Sequence, residues 1–422
     1  MEAVDNQFKT ITLEYIRDLK SLFDSMPLVS RFFRSQLSSN VDKYNSYLDK
    51  YNIQIDENNK ILNASYRLRF VLKRYEQNIA KIITVNNLYF QNAIVSFVCS
   101  YDAFLSQIIK LIYRSNEQLL KASEKQFTYT QIAKYKDFEE LKDALIEKEI
   151  ENILRENHNE QFKKISKLLN KPIVEGENCI SDFIEITERR NLFVHSGGKV
   201  SEQYLKACKD YNYNSSVKIG DVLQADTQYI TNAFFVFLTF GIKLSQVIWR
   251  IIGDETSLEQ ADRFLVDVTF DLLCENRFDI AKNLLGFATE KSTKHKDKEV
   301  EYIHSINKAL CFYLNGEKNE SDKIVQSIDF SAANDRFLLA KYVLLEKYEE
   351  AVKYVERLKN EVGMQDAYGT WPLFRNFVQQ DVFKKTYKNV YGGDFEYFEH
   401  EDATWSEIIA TANSIIKEQK WV

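Results

Sequence analysis

Between residues 86 and 115, apolar side chains return every three or four positions without a break: Ile94, Phe97, Val98, Tyr101, Phe104, Leu105, Ile108, Ile109 and Ile112. That is the period of an α-helix, not the alternation of a strand. A helix this apolar has to be surrounded by other elements. The rest of the chain offers little punctuation for anything but helices, with 12 glycines and 3 prolines in 422 residues, too few to turn an all-β fold. The expectation is an all-α protein, long enough for two or three domains with their own cores.

In chain order, the pattern predicts helices over 4–24 and 29–50, separated by a turn at Pro27 after Asp24-Ser25-Met26. A polar loop, Ile55 to Lys60, precedes a third helix over 62–83. This helix carries Arg67, Arg69, Lys73 and Arg74, either phosphate contacts or a solvated face. After the apolar helix come helices over 137–156, 161–169 (with Lys163, Lys164 and Lys167), 178–196 and 221–252. Phe234, Phe235, Phe237 and Phe240 in the last read as core. Beyond Gly253 the helices shorten and pair. Arg277 to Leu285 (with Ala281) and Lys341 to Ala351 each join two of them, and Lys308 to Glu317 reads as a helix ending at a turn. Lys291 to Lys298, with His295, reads as a solvated loop. The acidic, aromatic tail after Gly392-Gly393 ends in a helix with Trp405 and Ile408. The boundaries expected are 1–83, 84–252 and 253–422.

Several function classes drop out. A net charge of -6 gives no global attraction to nucleic acid, so any such contact must be local. The glycines never cluster into a phosphate-binding loop, and no His-Glu-x-x-His or paired metal-ligand spacing occurs; no cofactor is expected. Five scattered cysteines (Cys99, Cys179, Cys208, Cys274 and Cys311) without a CxxC pair suggest reduced thiols and a cytoplasmic protein. The polar N-terminus is not a signal peptide. No transmembrane helix is expected, since Lys243, Gln246 and Arg250 interrupt the most apolar run, Ala233 to Ile252.

The chemistry concentrates in Arg190-Asn191-Leu192-Phe193-Val194-His195 and the following Ser196-Gly197-Gly198. This reads as the last turns of a helix, with the glycines as its stop. On a wheel, Asn191 falls in the row of Ile180, Ile184 and Thr187, and Arg190 and His195 flank that row about 140° apart. Three polar groups then stand on a face expected to be buried. An uncompensated buried polar group costs about 1–3 kcal/mol, so either a hydrogen-bonded network or a working site is expected. The two readings stay open at this level.

Arginine followed by a polar residue, with histidine four to six positions on near the end of a late helix, resembles the HEPN family of helical nucleotide-binding and ribonuclease domains. The glycine-rich exit, Tyr204-Leu205 and the earlier Ser100-Tyr101-Asp102-Ala103-Phe104-Leu105 add to the likeness, which covers about residues 86–250. The paired helices after 253 resemble degenerate tetratricopeptide repeats. The first resemblance implies metal-independent cleavage of RNA to a 2′,3′-cyclic phosphate by a homodimer in which two such helices face one cleft. Arg190, Asn191 and His195 would be catalytic. Arg189, Asp102, Ser196, Lys199 and Tyr204 are candidate supporting residues, with Arg189 able to stand in for Arg190. It also implies a role as a toxin or antiphage effector.

The residue types suit that reaction. Histidine titrates near neutrality and serves as base or acid, a helix C-terminus favours its protonated form, and arginine holds a phosphate through two hydrogen bonds. The competing reading is a non-catalytic dimer whose C-terminal repeats bind a partner protein. A third is a domain that accepts a nucleotide on Tyr204.

Overall fold

The structure, a computed structural model, describes residues 2–54, 61–116, 118–121 and 128–396. The expected loop over 55–60 and the helix with Trp405 and Ile408 lie outside the described residues. Those described are all-α, with an isolated β-bridge joining Lys199 to Val222.

The helices are α1 (Glu2–Lys50), α2 (Tyr66–Ser115), the single turns α3 (Gln118–Lys121) and α4 (Tyr129–Ile132), α5 (Phe138–Leu154), α6 (His158–Leu169), α7 (Ile180–Ser196), α8 (Glu202–Asp210) and α9 (Thr227–Ile252). Next come α10 (Glu255–Cys274), α11 (Phe278–Ala288), α12 (Lys298–Leu314), α13 (Lys318–Ser327), α14 (Asp335–Leu344), α15 (Tyr348–Arg357), α16 (Met364–Thr370) and α17 (Asp381–Tyr391).

Two expected breaks are absent. The turn at Pro27 does not form, and α1 runs straight through it. Proline removes one donor and crowds the preceding turn, but the chain is anchored on both sides. Phe23 stacks on Phe234 at 4.2 Å, Met26 is buried, and Asp24 accepts two hydrogen bonds from Arg277. The hydroxyl of Ser25 also donates to the Leu22 carbonyl at 2.7 Å. The second break, between the helices expected over 62–83 and 86–115, is replaced by one 50-residue helix containing neither glycine nor proline. The boundary drawn at 83/84 therefore falls inside α2.

The first half of α1, the second half of α2 and α9 form the centre of the core. Thr12 bonds Ser245 at 2.7 Å, Tyr15 donates to the Phe237 carbonyl at 2.7 Å, and the Trp249 indole donates to Asp5 at 2.8 Å. Gly241 is required there, because a Cβ at this position would lie 2.2 Å from the Tyr15 ring. As expected, Phe234, Phe237 and Phe240 are core. Both α2 and α9 are long and apolar enough to cross a membrane by length and composition. The most apolar window of α9 is 72% buried within the protein, as a core helix is.

Three successive helix pairs, α10/α11, α12/α13 and α14/α15, share one turn. Asn276, Gly316 and Glu346 each adopt positive φ (56°, 82° and 57°). The next residue donates back five positions, Arg277 to Leu272, Glu317 to Phe312 and Lys347 to Tyr342. This is the Schellman closure of a helix C-terminus. Five residues after each turn residue comes a small, fully buried side chain: Ala281, Ser321 and Ala351.

The 291–298 segment is a loop, but His295 is not solvated. Asp262 on α10 is fully buried and needs donors. It receives Arg250 Nη2 at 2.6 Å, His295 Nδ1 at 2.9 Å and the Lys296 amide at 2.8 Å. His295 Nε2 also meets the Ala288 carbonyl at 2.7 Å. Burial opposes protonation of His295, but these two acceptors outweigh it and raise its pKa. Burial likewise opposes ionisation of Asp262, and its donors hold the pKa below the usual range.

The ring of His304 packs 5.1 Å from that of His295, and neither of its nitrogens has a partner among the described residues. Burial, then the neighbouring His295, pushes it down to about 3. The unfolded chain thus protonates His304 first, and this group's contribution to stability fades as pH falls from 6.5 towards 3. By linkage the loss is about 2 kcal/mol at pH 5. His295, shifted upward, acts in the opposite sense: its contribution is full below 6.5 and fades as pH rises through its folded pKa. Urea unfolding at pH 7 and pH 5 should show a smaller drop for His304→Leu than for wild type by about that amount. Equal drops would remove His304 from the account.

Candidate functional site

The stretch from 180 to 196 forms α7, stopped by Gly197 and Gly198 at φ 58° and 83°. Gly198 is needed twice over. It has positive φ, and a Cβ would lie 2.7 Å from the Leu223 carbonyl oxygen. One face of α7 is apolar: Phe183, Ile184 and Ile186 enter the main core. Leu192 enters a small second cluster with Val200, Tyr204, Cys208 and Leu223.

Arg190 turns towards α2. Its Nη2 donates to Asp102 Oδ2 at 3.0 Å and its Nη1 to Asn191 Oδ1 at 3.1 Å. Its Nε is buried without a partner among the described residues. The other oxygen of Asp102 lies 3.1 Å from Nε2 of His158, the first residue of α6. Tyr101 and Phe183 wall the imidazole at 5.9 and 5.5 Å. Glu188 lies one turn below Asn191. Burial raises its pKa, against a hydrogen bond from Asn191 and the nearby His158 and Arg190. An arginine, a histidine, an amide and two carboxylates thus converge where α2, α6 and α7 meet. Asp102, expected as a supporting residue, is the centre of this cluster.

His195 is not on a buried row. It is exposed and makes no hydrogen bond or ion pair among the described residues. It stands in the last turn of α7, on the side where Val194 is also 51% exposed. Ser196 ties off the last turn by bonding the Leu192 and Lys199 carbonyls. Lys199 is exposed and bridges to Val222. Around this exit Val194, Ile219 and Val222 are all exposed.

Arg189 belongs to a second network, centred on a buried carboxylate. Glu185, 1% exposed, accepts Arg189 Nε at 2.7 Å, the Tyr204 hydroxyl at 2.6 Å and the Tyr229 hydroxyl at 2.8 Å. Arg189 also lies over the Tyr229 ring at 4.0 Å and donates to the Gln224 carbonyl. Burial, then Glu185, pushes both tyrosines well above the ordinary phenol range. Tyr204 is thus a buried hydrogen-bond donor here and not an accessible hydroxyl.

No family model matches the chain, and neither a characterised protein nor a solved structure is similar to it. The geometry therefore stands on its own. Sequence reading brought out Arg190, Asn191 and Asp102, which do meet, but missed His158, Glu188 and Glu185. His158 lies three residues before the helix expected over 161–169, which in fact begins at His158. Asn157 caps that helix by accepting from the Glu160 amide, a legible N-cap signal. Two acids on the otherwise apolar stretch Phe183 to Glu188 are the available clue to Glu185 and Glu188. No group of three or more His, Cys, Asp or Glu among the described residues is arranged to hold a metal ion.

Proposed function

We propose that this chain is a metal-independent RNA endonuclease of the HEPN type, active as a homodimer. The observation that carries the reading is the split presentation of Arg190 and His195. Asp102 fixes Arg190 at a half-buried position, while His195 stands free at the end of the same helix. A guanidinium so held meets a phosphate without first having to be ordered, and offsets the extra charge of the transition state. An imidazole in solvent can reach a substrate lying against a second chain. The exposed Val194, Ile219 and Val222 give that second chain an apolar surface beside His195.

In the proposed reaction a base removes the 2′-hydroxyl proton, and the 2′-oxygen attacks phosphorus. The bond to the 5′-oxygen breaks, and an acid protonates that oxygen. The products are a 2′,3′-cyclic phosphate and a 5′-hydroxyl. His195 supplies acid or base, and Arg190 and Asn191 hold the phosphate. His158, backed by Asp102, is a second imidazole beside the same arginine. The helix pairs beyond residue 253 act as tetratricopeptide-like docking surfaces for a partner, and the protein works in the cytoplasm as a toxin or antiphage effector.

The test is cleavage of a labelled RNA with and without EDTA by wild type, Arg190→Ala and His195→Ala. Each substitution should lower the rate by about 10²-fold or more, EDTA should leave wild type unchanged, and the products should end in cyclic phosphate. Undiminished cleavage in both variants would exclude the assignment. The other reading is a non-catalytic scaffold, favoured by the way Asp102, Arg190 and His158 satisfy one another as a packing cluster. Intact RNA under all these conditions would select it.

A further inference from the structure

From Pro27 to Lys50 on α1, and from Tyr66 to Tyr89 on α2, the two helices leave the core as an antiparallel arm, about 36 Å long at 1.5 Å per residue. Phe33 meets Tyr89 at 6.1 Å, Tyr44 bonds Glu76 at 3.0 Å, and Tyr47 packs on Tyr75 at 5.7 Å along the seam. Among the described residues of this arm, Leu72 is the one fully buried side chain. Two helices alone bury little, so nearly everything else faces outward.

The arm is also charged against the sign of the molecule. Residues 25–90 contain ten Lys and Arg against five Asp and Glu, net +5, whereas the whole chain is -6. The cations are not neutralised within the protein: Lys73, Arg74 and Lys81 have no ion-pair partner among the described residues. On the face of α2 opposite the seam, Tyr66, Phe70, Lys73, Arg74, Gln77 and Lys81 are all exposed and form a stripe without an acid. Tyr66 is 91% exposed and Phe70 56%, and Arg74 lies 5.7 Å from the Phe70 ring.

We propose that this stripe binds single-stranded RNA. Lysine and arginine at helical intervals take successive phosphates, and exposed aromatic rings stack bases, the combination that holds single strands without sequence preference. Anionic lipid is the weaker fit, since a helix lying in a membrane needs a continuous apolar face, and Lys73, Gln77 and Lys81 interrupt this one. A second copy is disfavoured because it would bring like charge to like. The stripe also lies on the helix that carries Asp102, with about 32 Å of helix rise between Lys81 and Asp102. A strand held by the arm is thereby led towards the Arg190 cluster. That last step rests on the nuclease reading; binding by the arm does not.

The experiment uses full-length His195→Ala protein and a fluorescein-labelled 20-nucleotide poly(U), read by fluorescence anisotropy. Lys73→Glu/Arg74→Glu/Lys81→Glu added to this background should weaken binding at least tenfold. It should also make the dependence of affinity on salt shallower by about two in log–log slope, as loss of three phosphate contacts requires. Tyr66→Ala/Phe70→Ala should weaken binding with no change in salt slope. Circular dichroism melting should be the same for all, because the altered side chains are exposed. Binding at parental affinity by the charge-reversed protein, or no binding of poly(U) by the parent, overturns the proposal. So does an effect of the charge reversal only on phosphatidylserine vesicles or on the oligomeric state, with RNA binding intact. The two readings separate cleanly. RNA held by the arm but left intact by the wild-type protein sinks the nuclease alone. Cleavage that persists with parental binding after charge reversal sinks the arm alone.

Discussion

Arg190→Ala and His195→Ala protomers, each inert alone, are expected to cleave RNA when mixed. On α7 the two side chains project about 140° apart. Arg190 turns inward to Asp102 and His195 outward to solvent. The pair of one chain thus points two ways, and under the nuclease reading proposed above a site would take its arginine from one protomer and its histidine from the other. In a mixed dimer, one of the two twofold-related sites loses both groups and the other keeps both. Random pairing of equal amounts makes roughly half of the dimers mixed, so recovery should approach a quarter of the wild-type rate under a closed twofold arrangement. Two different affinity tags, with subunits exchanged by co-expression, establish that hybrids form. If tagged hybrids are isolated and stay inert, the site is not shared between chains. His158 then becomes the histidine to test beside Arg190.

Glu185→Ala should cost about 3–5 kcal/mol of folding stability, the range for breaking a buried ion pair by removing one partner. Glu185 is 1% exposed and receives three donors from three different elements: Arg189 on α7, Tyr204 on α8 and Tyr229 on α9. Removing the carboxylate leaves two buried hydroxyls and one guanidinium without their acceptor. Glu185→Gln keeps the shape and part of the hydrogen bonding but not the charge, and should fall between alanine and wild type. Glu185→Leu/Arg189→Met, which removes both charges, should recover much of the loss. Urea unfolding is the measurement. A cost below about 1 kcal/mol for Glu185→Ala would mean that the three helices hold together without this carboxylate.

The parts of this fold that could be read from the chain are those governed by local period and local turn chemistry. The spacing from Ile94 to Ile112 marked the central helix, and Ala281 and Ala351 marked the starts of second helices in pairs. The misreadings arose where distant residues decide. Pro27 ordinarily stops a helix, but Phe234 and Arg277, more than 200 residues away, hold its flanks in one. His295 looks solvated among four lysines until Asp262, 33 residues earlier, claims it. The candidate site divides in the same way. Arg190 and Asn191 announced themselves by standing on an apolar helix. Their link to His158 passes through Asp102, which no single stretch of sequence contains.

The three C-terminal hairpins show where this architecture tolerates change in length. Their second helices have 11, 10 and 10 residues, whereas their first helices have 20, 17 and 10. The interval from each turn to its small side chain never varies, so an insertion there would push a larger group against the neighbouring helix. Growth and shrinkage are confined to the far ends of the first helices, and the array narrows like a wedge, from about 30 Å to about 15 Å in helix length. A residue added at the outer end of a first helix leaves every hinge in register, whereas trimming the first of them would remove Asp262 and the loop it holds.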